Sequence, residues 1–184
     1  MNILEKIQIN LGLNTLEKID PNTQETSGHE PLMGNNALTQ AGIPAILLGI
    51  YNRLELEPDL DTLSKEQSAN WMERIFGRNA VFVTRRINDY SRFPHEHSDQ
   101  QLEHIASESV RVVKENIGPN PSESEIRNFI AKNKPDTLLY LPPSLELGTL
   151  LHNNNLDDRT GKMEGPLSSL MHQVEKTFNS SKGQ

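Results

Sequence analysis

Apolar residues recur at three- and four-residue intervals over most of the chain, and each such run predicts a helix with one buried face. After Ser98 they fall at Leu102, Ile105, Ala106, Val110, Val113 and Ile117, and Gly118-Pro119 stops the pattern. Ile3, Leu4, Ile7 and Leu11 predict a first helix ended by Gly12, with Leu13, Leu16 and Ile19 in a further short turn. Met163, Leu167, Leu170, Met171, Val174 and Phe178 share one stripe of a closing helix that runs from about Pro166. Three serines stand three residues before a Glu or Gln: Ser64 with Gln67, Ser98 with Gln101, Ser122 with Glu125. That is the spacing of a capping box, in which the two side chains satisfy free N–H groups at a helix start.

Strands have little support, because no run alternates apolar and polar over several residues. Ala80-Val-Phe-Val-Thr84 is β-branched, yet its neighbours on both sides are helical and it is read as helix. Polar stretches at 20–36 and 152–162 read as connections, the first a flexible one, and 179–184 as a disordered tail. The expected fold class is all-α, an orthogonal bundle of six to eight short helices forming one domain over 1–178. A division into lobes 1–92 and 93–178 is the alternative. Pro44-Ala-Ile-Leu-Leu-Gly49 and Pro143-Ser-Leu-Glu-Leu-Gly148 echo one another, suggesting two helices that begin or kink at proline and admit a close neighbour at glycine.

Composition narrows the chemistry. The 184 residues contain no cysteine, which removes disulfides, thiolate nucleophiles and Cys-based metal sites and fits a reducing compartment. Eighteen basic against 25 acidic side chains give a net charge of −7, which disfavours nucleic acid and anionic lipid as partners. The N-terminus carries Glu5 and Lys6 where a signal peptide needs an apolar run, and the apolar stretch Ala41–Tyr51 falls well short of the ~20 residues of a membrane span. A cytoplasmic protein without membrane contact is expected.

The segments Ser64-Lys-Glu-Gln67 and Ile75-Phe-Gly77-Arg-Asn79-Ala-Val81, followed by a Ser-led amphipathic helix at 98–117, resemble the bacterial YidB-like family. The proline-containing apolar helix at 38–54 is similar to another element of such proteins. The resemblance implies a small all-helical protein and carries no established reaction and no catalytic residues. The polar turn Pro94-His-Glu-His97 departs from the family's pattern.

Motif scans point away from an enzyme. Gly161-Lys162 has Leu156 where a phosphate loop needs its first glycine, and His29-Glu30 and His95-Glu96 are followed by Met33 and Asp99 where a zinc-protease helix needs histidine. Three constellations remain. His95, His97 and His104, with Glu96, Asp99, Glu103 and Glu108 nearby, could hold a metal ion, or could be a solvated turn whose acids favour the positive end of a helix. Arg74, Arg78, Arg85 and Arg92 fall within about 40° of one another if 71–92 is one unbroken helix, which would make an anion-binding stripe. The stronger reading is a break, with Gly77 left-handed and Asn79 capping the next helix. Asn153–Glu164 offers hard oxygen ligands without the spacing of a calcium loop and reads as a connecting turn.

The leading functional expectation is therefore a non-enzymatic interaction or scaffold protein that binds an unknown protein partner or itself, with no cofactor. A metal-binding protein or metal-dependent enzyme built on the histidines, and a nucleic-acid or anion binder built on the arginine row, are the rivals.

Overall fold

The computed structural model describes residues 2–20, 32–63, 70–93 and 95–151, and of His95 and Glu96 the backbone only. The Ser64–Gln67 cap, the 152–162 loop, the closing helix at 163–178, the tail and most of the 20–36 connection lie outside the described residues. Among those residues the chain forms α1 (Ile3–Leu11), α2 (Gly34–Leu56), α3 (Trp71–Phe76), α4 (Ala80–Ser91), α5 (His95–Ile117), α6 (Glu123–Leu138) and α7 (Leu147–Leu150). Short 3₁₀ turns stand at Leu60–Leu63, Gly77–Asn79 and Pro143–Leu145. The architecture is all-α, as the patterning predicts, although α2 and α5 are long helices of 23 residues each.

The helix ends follow local chemistry. Asn2 accepts from the Leu4 N–H at 2.8 Å while Glu5 accepts from the Asn2 N–H at 3.1 Å, and Gly12 closes α1 in the left-handed conformation with φ 62°. Ser122 and Glu125 form the expected reciprocal pair at the start of α6. Ser98 does not cap. The helix starts three residues earlier at His95, and Ser98 is fully buried on the inner stripe that continues through Leu102, Ile105, Ser109 and Val112. Extending the helix backwards keeps that stripe on the core, which outweighs the local preference of a serine for a cap.

The organising element is α2, which is buried without interruption from Ala37 to Tyr51 and again at Leu54. A helix apolar on every side has to be enclosed, and α3, α4, α5 and α6 all pack against it. One apolar cluster runs from Ile3 to Leu151 and draws on every α-helix. Pro44 lies within α2 and cannot donate to the Gln40 carbonyl, whereas Pro143 opens a 3₁₀ turn. The two echoing segments thus fold differently. At Gly49 the close neighbours are the side chains of Ile75 and Phe76, so α3 seats directly on the α2 backbone.

Polar tethers fix the remaining pieces. The Gln40 side chain accepts from the Glu17 N–H and donates to the Glu17 and Tyr140 carbonyls, all at 2.8 Å, which ties the segment after α1 and the end of α6 to the central helix. Arg86 of α4 donates to the Leu145 carbonyl at 2.8 Å and pairs with Glu146 at 2.9 Å. Lys134 of α6 pairs with Glu55 of α2 at 2.8 Å. Among the described residues no helix is long and apolar enough to cross a membrane.

Candidate functional site

The histidine cluster is divided by its own helix. His97 and His104 are exposed on α5 and line one shallow groove with Leu11, Leu13, Gln100, Gln101 and Ile105, but seven residues separate them, roughly 10 Å along the axis. Helical metal ligands that share an ion normally stand four residues apart. Two of the carboxylates proposed to join them, Glu103 and Glu108, are engaged elsewhere. Glu103 accepts from the backbone N–H groups of Trp71 at 2.5 Å and Met72 at 3.0 Å, placing a negative charge at the N-terminus of α3. Glu108 accepts from Arg111 and Asn10, and the Arg111 guanidinium holds its carboxyl below the usual range. Asp99 faces a different groove, shared with α3 and α4. No group of three His, Asp or Glu side chains converges as a ligand set among the described residues, and the His95 side chain lies outside them.

The arginine row is broken as the glycine suggested. Gly77 takes φ 56° and ψ −134°, positive in φ yet outside the left-handed helical well that was expected. Asn79 holds the N-cap position of α4 without capping it, and its side chain instead donates to the Leu150 carbonyl at 2.6 Å. The premise of one continuous stripe therefore fails. Arg74 stacks over the Trp71 ring at 4.6 Å, Arg85 stands 3.8 Å from Asp89, Arg78 is exposed in the 3₁₀ turn and Arg92 ends α4 with φ 50°. The Arg74 guanidinium is thus occupied in packing, and Trp71 serves as its platform.

What sequence patterning missed is an apolar ridge on α4. The inner stripe of that helix is Ala80, Val83, Ile87 and Ser91, all buried, while Val81 and Phe82 point outward and are 73% and 57% exposed. Arg78 precedes this pair by about one turn and Arg85 follows it by one. Beside Val81 runs a groove of about 200 Å³ between α3, α4 and α5, whose lining includes Met72, Leu102, Glu73 and Asp99. The signal was available in the sequence: Val81 and Phe82 are the two large apolar residues that fall off the stripe their own helix needs. A larger groove of about 670 Å³, between the α2 corner and the α5–α6 turn, is lined by Pro58, Pro119 and Pro121 with Asp59, Asp61 and Glu115, the last already held by Lys6 and Arg111.

One buried group has a distinct titration. The Tyr51 ring packs edge-on to Phe129 at 6.1 Å, and its hydroxyl faces Thr137, which donates its own proton to the Asn133 carbonyl. The approach falls short of a full hydrogen bond, and burial pushes the phenol up to about 12, with Asp136 adding to the rise. A folded value above the unfolded ~10 means that the contribution is complete below pH ~10 and is lost as pH rises through the folded value. Tyr51→Phe should therefore extend the alkaline limit of the fold while changing stability at neutral pH by less than about 1 kcal/mol. Unfolding followed by circular dichroism across this alkaline range, with tyrosinate absorbance in parallel, checks it.

The chain matches no family model, no curated protein and no solved structure.

Proposed function

We propose that this chain is a non-enzymatic helical interaction protein, and that it self-associates through the outer face of α4. The exposed Val81–Phe82 pair is the observation that carries the reading. Isolated apolar residues are normal on any surface, but Val81 and Phe82 are adjacent, 73% and 57% exposed, and stand beside a groove, so together they make a surface that gains from being covered. A symmetric contact between identical chains requires one patch to carry both members of each complementary pair. This patch has Arg78 and Arg85 along the ridge, with Asp89, Glu73 and Asp99 around it. With both signs present, Arg78 of one copy can face Asp99 or Glu73 of the other, which offsets locally the repulsion between two chains of net charge −7.

The helix, Gly77 break and helix at 71–91 support kinship with the YidB-like family as part of the same proposal, and the cysteine-free composition supports a cytoplasmic address.

Sedimentation velocity over a concentration series provides the test. Weak, reversible self-association is expected for the natural chain, and Phe82→Glu should raise its dissociation constant by about tenfold or more. Leu56→Glu changes a residue that is 80% exposed at the end of α2, and should leave the association unchanged. Equal behaviour of the two variants would remove α4 as the interface.

A further inference from the structure

We infer that residues 163–178 of this same chain dock in cis on the Val81–Phe82 ridge and compete with the second copy for it. The inference rests on the reading of the ridge as a docking face and adds its regulation. Three observations carry it.

The first is where the described chain ends. Leu151 is the last described residue, and the carbonyl just before it, of Leu150, is held at 2.6 Å by the Asn79 side chain. Asn79 stands at the start of α4, so Val81 and Phe82 lie only ~3–5 Å further along that helix. The last described residues thus stand close to the ridge.

The second is reach. Residues 152–162 separate Leu151 from the first apolar position of the segment, Met163. A linker of that length spans about 36 Å when extended and has a root-mean-square span of roughly 18 Å, which comfortably includes the ridge. Such tethering gives an effective concentration in the mM range. A second copy at micromolar concentration therefore competes at about a thousandfold disadvantage for the same small patch.

The third is the character of the segment. Met163, Leu167, Leu170, Met171, Val174 and Phe178 fall on one side when placed at 100° per residue. Glu164 and Glu175 then fall together on one edge of that stripe, and Lys176 falls on the opposite face. An apolar stripe with an acidic edge complements the ridge at its Arg78 end, Arg85 already standing 3.8 Å from Asp89, in the manner of a helix laid against a groove.

The absence of cysteine makes the test direct, since Asp89→Cys and Lys176→Cys in one 184-residue chain are its only thiols. Both are spin-labelled, the protein is diluted into excess unlabelled natural chain, and the distance distribution between labels is measured by pulsed electron resonance. A narrow distribution that survives dilution, and that Phe82→Glu spreads out, is the expected result. A broad distribution, a narrow one indifferent to Phe82→Glu, or one lost on dilution overturns the docking in cis.

A second variant of the 184-residue chain, Leu170→Glu, reads the competition. With the stripe broken, self-association measured by sedimentation should tighten about tenfold, because a larger fraction of chains presents a free ridge. Unchanged association there overturns the competition. If the label distance behaves as expected while every chain stays monomeric, the contact in cis stands and the self-association reading falls. Association sensitive to Phe82→Glu with no label contact leaves the interface standing and the inference overturned.

Discussion

Gln40→Leu should lower the stability of the fold by about 3–4 kcal/mol, a third or more of what a domain of this size commonly has. The Gln40 side chain is 1% exposed and makes three hydrogen bonds of 2.8 Å, one from the Glu17 N–H and two to the Glu17 and Tyr140 carbonyls. Leucine matches its bulk and leaves all three backbone groups without their partner, and a half-buried peptide group recovers only part of that loss from water. The three bonds also span great sequence distances, joining residues 17 and 140 to the central helix. Their removal should loosen the segment after α1 and the end of α6 together. Gln40→Glu sharpens the argument: it keeps an acceptor for the Glu17 N–H but turns a carboxylate toward two carbonyls, so at neutral pH it should be at least as damaging. Urea unfolding midpoints rank the variants, and faster amide exchange at Glu17 locates the lesion. If Gln40→Leu unfolds at the same urea concentration as the natural chain, the tether has no energetic weight.

That tether shows where sequence reading stops. Gly12, Gly77, Gly118 and the Ser122–Glu125 box were legible because a helix end is decided within five or six residues, by a positive φ or a side chain returning to its own backbone. The enclosed position of α2 was legible too, since the run Ala41–Tyr51 leaves few polar positions to face water. The spacing of Ser98 satisfies the capping rule, and only the inward turn of its helix places the serine on the buried stripe instead. Glu103 looked like a metal ligand beside His104, yet its partners are backbone groups 31 and 32 residues away, which no local pattern reports. The candidate site was half visible. Val81 and Phe82 stood off their stripe in the sequence, but their exposure depends on α3 and α5 leaving that side of α4 uncovered.

Gly49→Ala and Gly42→Ala make the same change on the same helix and should have different outcomes. In a helix interior alanine gains about 1 kcal/mol over glycine. At Gly42 the added carbon would stand 3.1 Å from Leu102 Cδ2 and 3.6 Å from Ile105 Cδ1, the methyl tips of two side chains that can shift by a few tenths of an ångström. The propensity gain and that adjustment offset one another, so the variant should stay within about 1 kcal/mol of the natural chain. At Gly49 it would fall 2.6 Å from Phe76 Cζ and 2.7 Å from Ile75 Cγ2, far inside the ~3.5–4.0 Å of a carbon contact. Phe76 offers a rigid ring, and α3 is fixed from its other end by Glu103 and by the Asn70 side chain accepting from the Glu73 N–H. The short helix has to move as a body, at a cost of about 1–3 kcal/mol after the propensity gain, and Gly49→Val should cost more. Denaturant midpoints read the contrast between the two glycines. Since α3 forms one wall of the groove beside Val81, Gly49→Ala should also weaken self-association, whereas Gly42→Ala, on the face of α2 turned toward α5, should leave it intact. Equal effects of the two substitutions on both readouts would mean that α3 is not seated on the α2 backbone.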